Sequence, residues 1–398
     1  MIKNKHSIKF NDEKREGILM QHRKLGKINL ESSLLGFGAM RLPLVEGSTK
    51  VDVPEAVRMM RYAIDNGVSY VDTAYVYHGG ESEVVVGEAL KDGYRDKVIL
   101  ATKNPIRLIE QPEDWDHFLD EQLVRLGTDH IDFYLMHGFR SNTWQKFKEM
   151  ALFQKALAAK EAGKIKYIGF SFHEKYEMFE EIINAYNWDF CQIQYNYLDV
   201  NYQAGMAGLK AATAKGLAVI IMEPLRGGRL AANLPQEISD KLHQANPNYT
   251  PVQWALRWLA DQPEVSVMLS GMSTMEQVVQ NVATCSEEDF TIGCLTDAER
   301  ATLSDVATTW HARIKIGCTA CDYCMPCPMG VNIPGNFALY NNAAMFETWT
   351  QAQRSYLTTI QDKKDASQCV SCGACQAACP QGLPIITTLQ ELDKALRQ

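Results

Sequence analysis

"IDFYLMH", residues 131–137, is apolar on nearly every residue and ends on an imidazole. A strand wetted on one side alternates apolar and polar residues, whereas one covered on both faces of a parallel sheet reads as this stretch does. Working outward from "IDFYLM" (131–136), the same kind of run recurs as "LLGFG" (34–38), "YVDT" (70–73), "VILAT" (98–102) and "YIGFS" (167–171). "CQIQ" (191–194), "LAVIIM" (217–222) and "VSVML" (265–269) complete the set. Helical patterns lie between them. "PEAVRMMRYAIDNG" (54–67) lines up Val57, Met60, Ala63 and Ile64 and stops at Gly67, and "WQKFKEMALFQKALAAKEAG" (144–163) reads as one helix ending at Gly163. Eight βα units over roughly 250 residues predict an α/β fold, a (β/α)8 TIM barrel. A doubly wound open sheet is the competing layout.

The chain's 398 residues are too many for one ordinary domain and suit a barrel plus a smaller module. With 46% apolar and 22% charged residues it is globular, and a net charge of −8 argues against a nucleic-acid surface. No apolar run approaches the ~18 residues of a membrane span. "MIKNKHSIKFNDEKREG" at the N-terminus is basic and polar without the apolar core of a secretory signal, so a solvated tail over 1–20 and a cytoplasmic location are expected. Eleven cysteines beside such an N-terminus point to a reducing compartment, where disulfides are disfavoured.

After Cys294 the character changes. A helix is expected over "LTDAERATLSDVATTWHARI" (295–314), followed by "CTACDYCMPCP" (318–328), a helical stretch over 336–360 and "CVSCGACQAACP" (369–380). The expected division is a tail to 20, a barrel over 21–290 and a small α-helical module over 291–398. Three thiolates at two-residue intervals on a curving loop reach three irons of one cubane, and the Cys of a closing Cys-Pro crosses to the other cluster in two-cluster ferredoxins. On that logic Cys318, Cys321, Cys324 and Cys379 hold one [4Fe–4S] cluster, and Cys369, Cys372, Cys375 and Cys327 hold the other. The alternative is two tetrahedral zinc sites, which more often use separated Cys-x2-Cys pairs. Cys191, Cys285 and Cys294 stand apart and are expected to be ordinary buried residues. The cysteine-bearing segment resembles the α-helical ferredoxin modules of respiratory and dehydrogenase complexes.

Catalytic groups of TIM barrels gather at the C-terminal ends of strands. Those ends carry Asp72 with Tyr77 close by, Lys103, His137, Ser171 and Gln194 in strand order.

At these residues a resemblance becomes specific. "LGFGAMRLP" (35–43), "DTAYVY" (72–77), "ATK" (101–103), "IDFYLMH" (131–137) and "IGFS" (168–171) resemble the aldo-keto reductase signature set, over about residues 21–284. With its cysteine tail the chain resembles the subfamily that carries a C-terminal ferredoxin-type domain. The resemblance implies a catalytic tetrad of Asp72, Tyr77, Lys103 and His137, interconverting a carbonyl and an alcohol with NADP or NAD. Reducing a carbonyl places charge on its oxygen, which must receive a proton. A phenol's ordinary pKa of ~10 is high for that work near neutrality, and a neighbouring ammonium lowers it. On that reading Tyr77 is the proton donor, Lys103 lowers its value and is itself kept charged by Asp72, and His137 orients or polarises the carbonyl. The resemblance also implies that Ser171 and Gln194 hold the nicotinamide carboxamide, that Gly38, Ala39 and Met40 line its ribose, and that Met222 faces the ring. "EPLRGG" (223–228) would be the pyrophosphate loop, through Pro224, Leu225 and Gly227, with Ser270, Gly271, Thr274, Gln277 and Asn281 at the adenosine end. "STME" (273–276) reads as a capping box with Ser273 as cap and Glu276 reaching back. Three departures stand out. Phe172 replaces the Asn that often assists Ser171, Met222 replaces a stacking aromatic, and Gly271 and Gln277 replace cations that grip an adenosine 2′-phosphate. His173 follows directly, either entering the active site or packing beside it.

The two halves pose an electron-counting problem, because a hydride carries two electrons and a cubane takes one. The clusters either exchange electrons with ferredoxin or another carrier, with a flavin still open as the group that splits the pair, or act as structural or oxygen-sensing staples. A third reading makes the barrel a nicotinamide-responsive regulator or binding module. The favoured expectation is an oxidoreductase for a small carbonyl or alcohol, in an anaerobe or facultative anaerobe, with no nucleic-acid or membrane partner.

Overall fold

A hairpin of β1 (His22–Leu25) and β2 (Ile28–Ser33) opens the computed structural model, which describes residues 20–398. The tail expected over 1–20 lies outside the described residues, save for a buried Met20. Eight strands follow: β3 (Leu35–Gly38), β4 (Tyr70–Asp72), β5 (Ile99–Asn104), β6 (Ile131–Phe139), β7 (Ile165–Phe172), β8 (Phe190–Gln194), β9 (Ala218–Met222) and β10 (Val267–Ser270). Each pairs in parallel with its neighbours in sequence, and β10 closes on β3, so the sheet is a complete barrel. All eight runs anticipated from the sequence are its staves.

Tyr70, Ala101, Phe133, Leu135, Phe190, Ala218, Ile220, Val267 and Leu269 pack with Leu25 and Ile28 of the hairpin in one buried cluster. The hairpin, which the apolar pattern did not foretell, contributes those two apolar side chains, together with a buried Ser33 bonded to Ser69. Its turn is tight. Gly26 has φ +55°, and a Cβ there would stand 2.4 Å from the Gly216 carbonyl oxygen, so only glycine fits.

The helix expected over 144–163 is instead two, Ser141–Glu149 and Leu152–Glu161, broken at Ala151 in the left-handed region (φ 51°). The break lets Phe147 of the first and Phe153 of the second both meet the buried Trp188 ring, at 6.1 and 5.3 Å. The stretch 336–360 likewise divides into Ile333–Phe346 and Trp349–Gln361 around Glu347 (φ 54°). The helix expected over 295–314 forms as Asp297–Ala312, closed by a Thr296–Glu299 capping box.

The chain divides into two compact units. One comprises the described chain up to Pro224 with Leu256–Cys294, and the other comprises Leu225–Ala255 with Leu295–Gln398. The boundary differs from the expected 290/291 because Leu225–Ala255 joins the cysteine-bearing unit. There Lys241 of helix Gln236–Ala245 ion-pairs with Asp305 at 2.7 Å, and the guanidiniums of Arg226 and Arg229 lie over the Phe346 ring at 4.8 and 5.0 Å. This unit has its own core of Val331, Ile333, Phe337, Tyr356, Leu389 and Leu392, against which six of the cluster cysteines pack. Among the described residues no helix is long and apolar enough to cross a membrane.

Gly169 in β7 marks where barrel packing leaves no slack. A Cβ there would sit 2.6 Å from the Phe190 carbonyl oxygen and 2.7 Å from its ring. Gly169→Ala is expected to cost about 2 kcal/mol, read as a lower urea midpoint of the barrel transition; an unchanged midpoint would contradict the packing described.

Candidate active site

Lys103 projects from β5, 1% exposed, and its Nζ donates to Asp72 Oδ1 at 2.6 Å and to the Thr73 carbonyl at 2.7 Å. Gln192, on β8, donates to the other Asp72 oxygen at 3.2 Å. The register that pairs Asp72 with Ala101 and Lys103 with Leu135 sets these groups at one end of the barrel. Tyr77 lies in the short helix Tyr77–Gly80 that follows β4, its ring centroid 4.7 Å from Lys103 Nζ. The His137 ring meets it edge-on at 5.9 Å. Carboxylate, ammonium, phenol and imidazole therefore converge, each delivered by a strand or the loop after it.

Behind them lies a buried polar lattice. Glu83, in helix Glu81–Ala89, accepts from Thr102 Oγ1 and Gln122 Nε2, both at 2.6 Å, and from Arg125 at 3.3 Å. Gln122 also donates to the Lys103 carbonyl at 3.1 Å, and Arg125 to the Tyr75 carbonyl at 3.3 Å. The lattice ties the loop carrying Tyr77 to the strand carrying Lys103.

Burial dominates the electrostatics. It pulls against the Lys103 ammonium, yet the attraction of Asp72 and Tyr77 outweighs it and holds Lys103 above its ordinary value. For Tyr77 the balance is reversed. Burial raises the phenol above 10.0 despite the Lys103 charge, so the net lowering expected from the sequence is absent. Ammonium attraction has the expected sign, but desolvation of a phenolate in this pocket is larger. Burial, then the charge of Lys103, drives His137 down to about 3. His173 is driven to about 4, by burial and then Arg140. Both imidazoles are neutral near pH 7, so His137 can donate a hydrogen bond without bringing charge.

The remaining residues singled out from the sequence fall in three places. Ser171 Oγ accepts from Gly138 N at 2.8 Å, and Gln194 donates to the buried Asp199 at 3.0 Å, a contact shared with Asn196. Gly38 lies against Ser270, where a Cβ would meet its carbonyl at 3.3 Å. Ala39 is buried and its carbonyl accepts from Ser82, whereas Met40 is 60% exposed. Met222 ends β9, and its carbonyl accepts from Tyr195 N. Pro224 closes the first segment of the barrel unit, while Leu225 and Gly227 belong to the second unit. Phe172 is buried against Phe179 and offers no polar atom.

At the other end of the strand order, Asn281 donates to Ser270 Oγ at 2.9 Å. The expected capping box does not form; a plain N-cap stands one residue further on. Thr274, not Ser273, caps helix Met275–Cys285 by accepting from Gln277 N, and Gln277 Oε1 accepts from Ser273 N at 2.8 Å. Ser273 is diverted because its Oγ donates to the Arg41 carbonyl at 2.9 Å, and Glu276 pairs with Gln280 instead. Gly271 faces the stem of Arg41, whose Cδ would lie 3.2 Å from a Cβ at that position. The side chain of Arg41 thus runs past the position where Gly271 stands in place of a cation.

Gln192 and Glu83 were not anticipated. Gln192 shares a strand face with Gln194, two residues away, which was a usable signal. Glu83 sits in the apolar run "EVVVG", where only packing shows that it points inward.

In the second unit the cysteines line two adjoining cavities. Cys318, Cys321, Cys324 and Cys379 line one; Cys327, Cys369, Cys372 and Cys375 line the other, with Cys324 on the wall of both. All are free thiols. Among the described residues no three His, Cys, Asp or Glu side chains close on a single point as one metal ion would require. Cys191 and Cys285 are buried, with burial pushing their thiols up, whereas Cys294 is only half-buried and donates to the Arg257 carbonyl.

Comparison with known proteins decides the family. The aldo/keto reductase family model matches residues 34–293, and that of a 4Fe-4S dicluster domain matches residues 317–383. The chain belongs to the aldo/keto reductase family. It is 26% identical over 306 residues to the uncharacterized oxidoreductase YqkF of Bacillus subtilis, covering 68% of this chain and 93% of that protein. It is also 26% identical to the aldo-keto reductase YhdN of the same organism, over 63% of this chain and 85% of that one. Among solved structures, the holo form of aldo-keto reductase AKR11C1 from Bacillus halodurans superposes with a TM-score of 0.58 at 27% identity, over 72% of this chain and 96% of that one. This aldo/keto reductase thus extends beyond its barrel relatives by a 4Fe-4S dicluster domain.

Depressed imidazoles make the barrel acid-sensitive. Unfolded, His137 and His173 bind protons near 6.5; folded, they resist until about 3 and about 4. The unfolded chain binds more protons across that window, so stability falls as pH drops from about 6.5 toward 4. His137→Asn removes one of the two groups. Its urea midpoint is expected to fall less between about pH 7 and pH 4.5 than the parent's; parallel curves would contradict the burial of neutral His137.

Proposed function

We propose that this protein interconverts a small carbonyl compound and its alcohol, with Tyr77 as the proton donor in reduction. The observation that carries the reading is the buried Asp72–Lys103 ion pair at 2.6 Å beside Tyr77 and His137. A phenol whose pKa burial has raised is fully protonated near neutrality and ready to give its proton to a developing alkoxide. Lys103 then steadies the phenolate left behind, and neutral His137 donates to the carbonyl oxygen and fixes its position. In the reverse direction Tyr77 takes the alcohol proton.

Reduced nicotinamide, when bound, supplies the hydride to the carbonyl carbon. The chain's residues fit a dinucleotide at the adenosine end, where the Thr274-capped helix start and Arg41, whose stem passes beside Gly271, suit phosphate. Arg41 favours NADP over NAD. Ser171 and Gln194 remain the proposed carboxamide partners, and Ser171 would have to exchange its bond from Gly138.

For the second unit we assign two [4Fe–4S] clusters, held by Cys318, Cys321, Cys324 and Cys379, and by Cys327, Cys369, Cys372 and Cys375. The support is that the two cavities sort the thiols into these sets, each completed by a cysteine from the other motif. Such clusters, when bound, supply one electron at a time, which suits exchange with ferredoxin or another carrier in the reducing cytoplasm. A structural role is favoured by a separate observation, that six of the cysteines pack against the unit's small core.

Tyr77→Phe is expected to lower kcat for NADPH-dependent aldehyde reduction at least about a thousandfold while the barrel stays folded; retained turnover would remove Tyr77 from the chemistry. The crossed ligand sets are tested by Cys379→Ser and Cys327→Ser in anaerobically purified protein. Each variant is expected to keep roughly half the iron and to lose a different cluster signal in electron paramagnetic resonance. Loss of the same signal from both would reject the assignment.

A further inference from the structure

The arginines of the barrel unit fall into two groups. Arg23 donates to main-chain carbonyls, and Arg58, Arg61, Arg95, Arg125 and Arg257 ion-pair with carboxylates. Arg41, Arg107 and Arg140 have guanidiniums with no carboxylate or carbonyl acceptor among the described residues. These three follow the C-terminal ends of β3, β5 and β6, the end of the barrel that carries the tetrad. Arg41 lies against Gly271, on the side assigned above to the nucleotide. Arg107, in the short helix Ile106–Leu108, and Arg140, directly before helix Ser141–Glu149, instead flank His137 along the chain and across neighbouring strands.

We propose that the carbonyl compound carries an anionic group, a carboxylate or a phosphate, which Arg107 and Arg140 hold at the barrel rim beside His137. The inference rests on the carbonyl-reductase reading and deepens it by naming the substrate class. In a protein of net charge −8, an arginine left without a counter-ion stands out, and two on adjacent loops at a catalytic rim make an anion seat. A guanidinium presents a planar fork of donors that matches carboxylate and phosphate oxygens. Lys146 fixes the base of this seat, donating to the carbonyls of Arg107 at 3.3 Å and Ile109 at 2.6 Å. His173 N donates to the Phe139 carbonyl at 3.1 Å, which braces the chain immediately before Arg140. After burial, the charges that depress the two imidazoles include Arg107 for His137 and Arg140 for His173, so both guanidinium fields reach the pocket. Holding the substrate by its anion would leave the carbonyl to Tyr77 and His137.

The test uses the anaerobically purified full chain with NADPH and two matched pairs: 4-carboxybenzaldehyde against 4-methylbenzaldehyde, and D-glyceraldehyde 3-phosphate against D-glyceraldehyde. In at least one pair kcat/KM for the anionic member is expected to exceed that of the neutral member at least about tenfold, and which pair responds separates carboxylate from phosphate. Arg107→Gln and Arg140→Gln should each reduce that ratio several-fold, and Arg107→Lys should restore part of it. Equal values within both pairs, with turnover that still vanishes in Tyr77→Phe, would overturn this inference and leave the carbonyl-reductase reading standing. Variants that weaken NADPH binding but keep the preference would also overturn it, by assigning the arginines to the nucleotide. If no aldehyde turns over, the reductase reading fails and calorimetry decides the seat. Tighter binding of 4-(hydroxymethyl)benzoate than of 4-methylbenzyl alcohol, lost in Arg107→Gln, would support an anion seat, and equal binding would reject it.

Discussion

One ion pair organises this active site. Lys103 and Asp72 are almost wholly removed from water and 2.6 Å apart, in a setting where either charge alone would be strongly disfavoured. Removing one member of such a buried pair costs on the order of 3–5 kcal/mol, since the survivor is left charged and unsolvated. The barrel invests further groups in keeping the pair: Gln192 occupies the second oxygen of Asp72, Thr73 offers its carbonyl to Lys103, and Glu83 with Gln122 anchors the strand behind. So much satisfied polarity in a barrel mouth is expensive as a structural device. It is intelligible as a way to hold a permanent ammonium beside a phenol.

Protonation of the surrounding groups follows from that arrangement. Burial, and after it the fixed positive charge of Lys103, holds His137 neutral, while burial keeps the proton on Tyr77. On the proposed reading the site offers one acid with a proton to give, one uncharged donor to hold an oxygen, and one cation to receive the resulting anion. Two further cations without partners, Arg107 and Arg140, extend that field to the rim. The second unit is built on a different principle. Its core is small, and its cysteines line adjoining cavities, each of which brings together thiols from both cysteine motifs.

Most of the barrel was legible in the sequence because burial on both faces leaves uninterrupted apolar runs. The convergence of Asp72, Tyr77, Lys103 and His137 was legible because β-strand phase places polar residues at successive strand ends. What escaped depended on contacts distant in sequence. Of the hairpin's apolar side chains only Leu25 and Ile28 join the barrel's core cluster, too few to mark a strand pair. The break at Ala151 lies among good helix formers and is imposed by Trp188, against which two separate aromatic side chains pack. Ser273 and Thr274 are equally able to cap a helix, and the Arg41 carbonyl decides between them. The direction of the Tyr77 shift differs from the expectation because charge proximity can be read from a motif, whereas desolvation needs the packed structure.

The central claim is that Lys103 acts on Tyr77 by its charge. Its most direct test is the pH dependence of kcat/KM for NADPH-driven aldehyde reduction in the parent and in Lys103→Met. The account predicts an alkaline limb set by loss of the Tyr77 proton, displaced to higher pH in the variant together with a large fall in rate, because the phenolate has lost its counter-charge. An alkaline limb at the same pH in both proteins would show that the ammonium does not govern the phenol, and would contradict the account.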